Sequence, residues 1–487
     1  MDMIAGLAHG FAVLLSPMVL AACVLGLLAG MVAGFLPALS PAGALALAAA
    51  FVGWMLGPFG LQSPAVFLVA FAYGTLYGRA LAALNLDASS ATRAAPSTPA
   101  ERSALIVTLL IGIGAAIGAA AFAVAGKRGF ALSFGPIELS ALIAFVLLGG
   151  AAFARGSAAS SLAVVVLGLL LALVGTDIET GLPRLTFGSP VLADGLSLLE
   201  IALGLFVIAN AIDDVVRALV RRLPDASAEA PGRSLWSAAL LAVLAGFLPT
   251  NGETFAATAG ARRARGGTDL LDPASQRGFA AIIRAAMLSD IRLSVSMIAL
   301  LLWLAPVDAM TALLRGPVYF QAVLTRTVAD LAPIAWLIGA TLVVAHVVPL
   351  ALIAGLARAR WPAIRIDARV VAPLLAAVAC LAVWQAHDSD PRAVVVMLAF
   401  GLIGYAMIRG RLDRSLMLFA FAVGPMFEEN IRRTLLIARG DPTAYLQRPI
   451  SAIALIAGVL IFVIVRAWRR RAGGTAAPQA STATPDA

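Results

Sequence analysis

From residue 3 to residue 78 the chain carries no Asp, Glu, Lys or Arg. A hydrocarbon layer ~30 Å thick takes ~20 residues to cross as a helix rising ~1.5 Å per residue. This opening run therefore holds two or three crossings or half-crossings. The rest of the sequence agrees, with 61% hydrophobic residues, 13% charged residues and a mean hydropathy of +0.96. The fold class that follows is an all-α polytopic membrane protein.

Within that run, Gly34-Phe35-Leu36-Pro37 closes an apolar stretch, and 212 positions later Gly246-Phe247-Leu248-Pro249 does the same. The first is followed by Ala38-Leu39-Ser40-Pro41-Ala42-Gly43, the second by Thr250-Asn251-Gly252-Glu253. A helix broken in mid-membrane exposes N–H and C=O groups that lipid cannot satisfy, so such breaks persist where they line a cavity. Gly/Pro interruptions at corresponding positions of two halves point to a transporter's binding site. The alternative for each break taken alone is an ordinary proline kink.

Apolar segments lie near 11–36, 41–58, 64–84, 104–125, 137–153, 158–175 and 195–216. They resume near 234–249, 278–304, 327–356, 370–386, 393–408, 414–427 and 450–467. About 11–12 transmembrane helices with re-entrant or broken pieces are expected. Between the two sets, Arg217, Arg221, Arg222, Pro224, Pro231 and Arg233 mark a polar connection. The expected organisation is a first transmembrane repeat over 1–222, a linker over 223–233, a second repeat over 234–471, and a disordered cytoplasmic tail over 472–487 rich in Gly, Ala, Thr, Ser and Pro. Arg466, Arg469, Arg470 and Arg471 place the C-terminus in the cytoplasm, and the linker arginines place the linker there too. The N-terminus, without basic residues, belongs outside. The second half then enters from the opposite side to the first, as two inverted repeats require.

The formal net charge of +9 would suggest nucleic acid in a soluble protein. Here the arginines collect in loops at membrane edges, so the charged partner is membrane lipid and no nucleic acid is expected. Cys23 and Cys380 both lie in apolar runs and give no disulfide framework. With His9, His346 and His387 scattered, neither a metal site nor a nucleophile triad can be assembled. No cofactor and no enzymatic activity are expected. Gly26, Gly30 and Gly34, at four-residue spacing, are read as helix packing.

Several motifs together resemble the large permease subunit of tripartite tricarboxylate transporters. They are Leu28–Pro37 with Pro41-Ala42-Gly43, Tyr73-Gly74-Thr75-Leu76-Tyr77-Gly78, and Phe134-Gly135-Pro136-Ile137-Glu138. Gly175-Thr176-Asp177, Gly181, Arg184, Phe187-Gly188 and Asp194-Gly195 form another series, and Glu428, Glu429, Arg432, Arg433, Gly440-Asp441 and Arg448-Pro449 are similar to the family's closing signature. The resemblance runs over most of residues 20–465. It implies a multi-pass permease of the bacterial inner membrane that works with a small integral-membrane subunit and a periplasmic solute-binding protein. It implies small carboxylates as solute and coupling to a gradient of Na+ or H+, with an elevator-like movement.

The chain also departs from that family. Ala38 and Thr250 stand where a Gly usually follows each repeated Pro, and Ala and Thr adopt positive φ poorly. Arg79-Ala80 replaces Gly-Ser, and Asn85-Leu86-Asp87-Ala88 lacks the family's Pro-Gly. Ala280–Met287 lacks its acid and paired amides, and Pro306-Val307-Asp308 replaces Pro-Gly-Ser. The resemblance is therefore to a divergent member, changed at the motifs that it implies for solute contact.

The expected solute-binding residues are Pro37, Ser40, Tyr77, Arg79, Pro249, Thr250, Asn251, Gly252 and Arg284. Half-helix N-termini supply N–H groups and partial positive charge for a carboxylate, and a guanidinium grips one with two parallel bonds. Each has a plainer alternative. Ser40 and Asn251 would also serve as helix caps, Arg79 could snorkel to the headgroups, and Arg284 could join Asp290 and Arg292 in an interfacial charge cluster. Tyr73 and Tyr77 line the path or anchor at the membrane interface. Asp177, Glu179 and Arg184 read as a solvated or structural loop. His346 reads as a helix-packing residue, because no partner for a proton relay is visible beside it. Two functions fit: a binding-protein-dependent, ion-coupled carboxylate permease, or a degenerate paralogue that no longer transports and acts as a membrane scaffold or regulator.

Overall fold

The computed structural model describes residues 3–37, 39–56, 62–87, 135–177, 181–188, 192–219, 288–295, 328–356, 366–387 and 390–474, with 110, 114 and 286 singly. In the first half it has α1 (Met3–Leu14), α2 (Pro17–Phe35), α3 (Pro41–Leu56), α4 (Gln62–Asp87), α5 (Pro136–Phe153) and α6 (Ala158–Ala172). A two-stranded antiparallel ribbon follows, β1 (Gly175–Thr176) paired with β2 (Pro183–Arg184). Next come α7 (Leu198–Leu203), a π-helical turn (Gly204–Ile208) and α8 (Ala209–Leu219). The second half contains helical residues 288–295, then α9 (Val328–Leu356), α10 (Ala368–Ala386), α11 (Pro391–Arg409), α12 (Arg414–Ile437), α13 (Ala444–Gln447) and α14 (Pro449–Gly474). Among the described residues six helices are long and apolar enough to cross a membrane. The protein is an all-α polytopic membrane protein, as its hydropathy requires.

The start signals are written in the sequence. Pro17, Pro41, Pro136, Pro391 and Pro449 each open a helix, where the missing N–H costs nothing and φ is already helical. Asp390 and Asp413 cap α11 and α12 by accepting from the N–H groups of Arg392 (2.9 Å) and Ser415 (3.1 Å). Three boundaries differ from the hydropathy reading. The expected segment 11–36 is two helices, because Ser16-Pro17 restarts the chain. The segment expected at 414–427 continues to Ile437, its polar last turns held by the i,i+4 ion pairs Glu428–Arg432 and Glu429–Arg433. α14 runs past Ala472 to Gly474. The linker 223–233 lies outside the described residues.

α2 and α4 run parallel, with α3 returning the chain between them. Gly26, Gly30 and Gly34 face the backbone of Phe67, Phe71 and Thr75, while Gly74 and Gly78 face that of Leu27 and Met31. A Cβ added at Gly26 or Gly34 would stand 2.5 Å from a carbonyl oxygen of α4. The glycine stripe thus packs backbone on backbone, as its spacing suggests. Because Tyr73 and Tyr77 each precede one of these glycines, the α4 face next to the seam carries both hydroxyls.

Three further parallel pairs join residues distant in sequence. α5 lies along α14, α6 along α12 through Gly168 and Gly424, and the π-turn along α11 through Gly204 and Gly401. At one edge Arg466 donates to the carbonyl of Gly156 (2.8 Å) and to those of Ala151 and Ala154, and Arg469 to Ala154 (2.7 Å). These two arginines satisfy carbonyls that the end of α5 leaves without intrahelical partners. The same edge carries Arg155, Arg411 and Arg414.

Candidate functional site

Three polar assemblies stand out, and the first is the break itself. α2 ends at Phe35, Leu36 is extended (φ −76, ψ 120), and α3 begins at Pro41. Pro37 therefore sits in an interruption, as its motif implies. Ser40 accepts from the N–H of Gly43 at 3.2 Å, while its carbonyl accepts from Ala44 at 2.8 Å. This is an N-cap, so the plainer reading of Ser40 describes its contact here. Arg79 donates through one guanidinium N–H to the Leu39 carbonyl, 3.2 Å away. That carbonyl is one the break exposes, so Arg79 is tied to the interruption. α4 continues to Asp87, which places Arg79 well inside its helix and not at its end. A cavity of about 250 Å³ adjoins the break, lined by Ala33, Leu36, Leu39, Leu47, Phe67 and Phe71 among other apolar side chains. By itself it offers nothing to a carboxylate. Pro249, Thr250, Asn251, Gly252, Glu253 and Arg284 lie outside the described residues, so the second break is not part of this geometry.

Ser40 yields a modest prediction. Ser40→Ala should lower stability by ~1 kcal/mol through the lost cap. Initial carboxylate uptake per folded molecule should stay near wild type. Thermal unfolding in detergent and uptake on the same preparation separate this from a solute-contacting role, which would cut uptake instead.

The second assembly is sealed inside the bundle where α4, residues 288–295 and α9 meet. Asp290 is 0% exposed, His346 1%, Tyr73 0%, Tyr77 1% and Ser294 2%. The Tyr77 hydroxyl donates to Asp290 Oδ2 at 2.8 Å, and His346 Nε2 lies 2.8 Å from Asp290 Oδ1. His346 Nδ1 is 2.5 Å from the Leu342 carbonyl, one turn back in its own helix. Tyr73 pairs with Ser294 at 2.9 Å, and its ring lies against that of His346 with centroids 4.7 Å apart. Asp290 is therefore no part of an interfacial cluster, and the tyrosines are not interface anchors. His346 has the partner its own stretch of sequence does not reveal. The signal for it is weak in sequence: an intramembrane acid and an intramembrane histidine, 56 residues apart.

The third assembly lies at the edge opposite Arg466. Asp177, 6% exposed, bonds Arg184 (3.2 Å) and Arg432 (3.1 Å), and Glu428 bonds the same two arginines at 2.5 and 2.7 Å. Charges alternate around this ring, so each is neutralised by two neighbours. The loop that brings Asp177 and Arg184 here turns through positive φ at Leu185 (53°) and Phe187 (48°). Such non-Gly conformations cost of order 1 kcal/mol each. At Gly175 (φ 126°) a Cβ would stand 2.9 Å from Gly195, so the two glycines allow the loop's ends to touch. The expected loop is thus structural, with Asp177 buried; Glu179 lies outside the described residues. A cavity of about 180 Å³ between this loop and α12 is lined by Asp177, Asp194, Glu428 and Glu429 against Arg184 and Arg432. Carboxylates outnumber guanidiniums there, so an anion would meet net repulsion. Nearby, Glu138 pairs with Arg448 (3.4 Å) and Ser140 with Tyr445 (2.9 Å). Motifs more than 240 residues apart in sequence close on each other twice at this edge.

Comparison with known proteins matches residues 20–419 to the tripartite tricarboxylate transporter TctA family. A 52.8 kDa protein of the TAR-I ttuC′ 3′ region of Agrobacterium vitis is 27% identical over 506 aligned positions, covering 95% of this chain and 96% of that one. A protein of the TAR-II ttuC′ 3′ region of the same organism is 30% identical over 91 positions, 19% of this chain and 36% of that protein. No solved structure matches. The matched span contains the break, Arg79, Asp290, His346 and the 175–195 loop. The closing residues Glu428–Pro449 lie beyond it, yet Glu428 and Arg432 bond directly to that loop, and Tyr445 and Arg448 to α5.

Proposed function

Given that the chain belongs to the TctA family of tripartite tricarboxylate transporters, we propose that it is the permease subunit that carries small carboxylates across the bacterial inner membrane. It works there with a small integral-membrane subunit and a periplasmic solute-binding protein, and draws on an ion gradient. The observation that carries this reading is the pairing, at one break, of Arg79 with the N-terminus of α3. A fixed positive charge beside the partial positive charge of a helix N-terminus is what a carboxylate needs once it has lost its water. An arginine within a membrane helix is costly and calls for such a role.

Sequence separation supports a second break facing the first. Tyr77 meets Asp290, 213 residues on, and Tyr73 meets Ser294, 221 residues on. Ala80 packs with Ala286. Positions rise on one helix as they fall on the other, so α4 and residues 288–295 cross antiparallel. The motif repeat of 212 makes Ser289 and Asp290 the counterparts of Tyr77 and Gly78. Counterparts that cross antiparallel at their own position are what a two-fold axis between inverted repeats produces. Arg79, two positions beyond Tyr77, bonds the Leu39 carbonyl, which ties the Pro37 interruption to this helix. On this reading the solute is enclosed by the two interruptions together, the second being the Gly246–Pro249 repeat of the first motif.

Orientation follows from charge. The edge with Arg155, Arg411, Arg414, Arg466 and Arg469 is cytoplasmic by the positive-inside rule. The Asp177–Glu428 edge then faces the compartment of the binding protein. Uptake of radiolabelled citrate, with tartrate and succinate beside it, by cells expressing all three subunits tests the proposal. Accumulation that depends on this chain is the expected result. Loss of none of it on deletion of the chain would overturn the reading, and failure of the complete system to move any carboxylate would favour the non-transporting paralogue.

A further inference from the structure

We propose that Asp290 and His346 form a single proton-carrying unit, and that its proton is the one coupled to carboxylate movement; this rests on the permease reading above. Geometry fixes the proton count. A carbonyl oxygen only accepts, so His346 Nδ1, facing the Leu342 carbonyl, carries a hydrogen. Nε2 faces Asp290 Oδ1 at 2.8 Å, and only a shared proton makes that contact attractive. It rests on nitrogen as an ion pair or on oxygen as a neutral pair, and in both forms the unit has no net charge. Removal of the proton sets a nitrogen lone pair against a carboxylate and leaves one unbalanced negative charge in a site that is 0–1% exposed. Burial of an unpaired charge costs several kcal/mol.

Among the described residues, the groups in contact with the pair bring no other charge in place of the proton. From α4 the unit meets the hydroxyls of Tyr77 and Tyr73, which carry no charge. From its own helix it meets Ser294, at a long 3.5 Å, with Arg292 two positions on. Arg79 of α4 lies two positions beyond Tyr77 and bonds the break at Leu39. α1, packed on α9, contributes only His9, which is exposed, and α2 contributes only the buried thiol of Cys23. The bundle therefore holds the unit protonated while the helices are closed. Exchange requires water to reach Asp290, which requires α4, residues 288–295 and α9 to part. That contact is the crossing of the two repeats, so repeat movement and proton exchange share one interface. The step is balanced: one proton enters from water on one side, resides on the N/O pair, and leaves to water on the other.

Proteoliposomes containing the three-subunit system, loaded for citrate counterflow or for accumulation driven by a pH gradient, provide the test. In wild type an inwardly directed proton gradient should drive accumulation, and a Na+ gradient at equal pH should not. In Asp290→Asn and His346→Gln the ratio of gradient-driven accumulation to counterflow should fall about tenfold or more, as expected for loss of an intramembrane proton site. Should both variants keep the wild-type ratio, or should Na+ alone drive the wild type, the proton assignment is overturned while the permease reading stands. Should the wild type show no counterflow of citrate, tartrate or succinate, the permease reading fails first, and this inference with it. Since loss of the pair could unfold the bundle, each ratio is taken per folded protein, measured by size-exclusion profile.

Discussion

Replacement of Arg79 by Ala is expected to reduce carboxylate uptake by at least about tenfold while the protein still folds. A hydrogen bond to a charged group contributes ~1.5–3 kcal/mol, which corresponds to roughly 10–150-fold in affinity. In this account the guanidinium serves two acceptors in turn. It holds the Leu39 carbonyl when no solute is bound (3.2 Å), and it meets the solute's carboxylate when the break is occupied. Arg79→Lys keeps the charge without the planar fork and should recover only part of the activity. Initial uptake rates normalised to folded protein check this. Wild-type rates in Arg79→Ala would remove the main support for a solute site at this break.

The largest effect on stability should come from Asp177→Ala. Asp177 bonds both Arg184 and Arg432, and its loss leaves two guanidiniums competing for Glu428. Removal of one member of a fully buried pair costs ~3–5 kcal/mol. Here the arginine side chains are about one-third exposed, at 31% and 35%, so water recovers part of the loss and roughly 2–3 kcal/mol is expected. The drop should appear as a lower midpoint of thermal unfolding in detergent. Arg432→Ala should be similarly damaging, and the double variant should cost clearly less than the sum, because the pair belongs to one network. Additive effects would mean that the ring does not act as a unit. Since this network ties the 175–195 loop to α12, transport should fall with it.

Much of the architecture can be read from composition and punctuation. Prolines at the first helical position mark α2, α3, α5, α11 and α14, and the glycine spacings in α2 and α4 mark their mutual face, because each is a local steric requirement. The break after Phe35 is legible for the same reason. Length is less so: α12 outruns its apolar stretch because ion pairs at i,i+4 sustain its polar end, an effect hydropathy does not weigh. The polar centre around Asp290 is least legible. Its members come from three segments, with no motif spacing, and Asp290 beside Arg292 reads as a membrane-edge charge until the fold carries it to the centre. The role of Asp177 is likewise set by Glu428 and Arg432, 255 residues away in the latter case, so the loop alone gives no hint that it is buried. Ser40 shows the opposite limit, since capping and solute binding call for the same residue type, and only the 3.2 Å contact to Gly43 favours the cap.

The central claim is that both interruptions open onto one solvated cavity that the solute occupies. Ala38 and Thr250 are counterparts under the 212-residue repeat, each following its proline, and each can be changed to Cys after Cys23 and Cys380 are replaced by Ala. The direct measurement is the rate at which a charged, membrane-impermeant methanethiosulfonate modifies each single thiol, with and without saturating citrate. The account predicts that both thiols react and that citrate slows both several-fold and together. Thiols that resist the reagent at either position, or that react at rates indifferent to citrate, would contradict it.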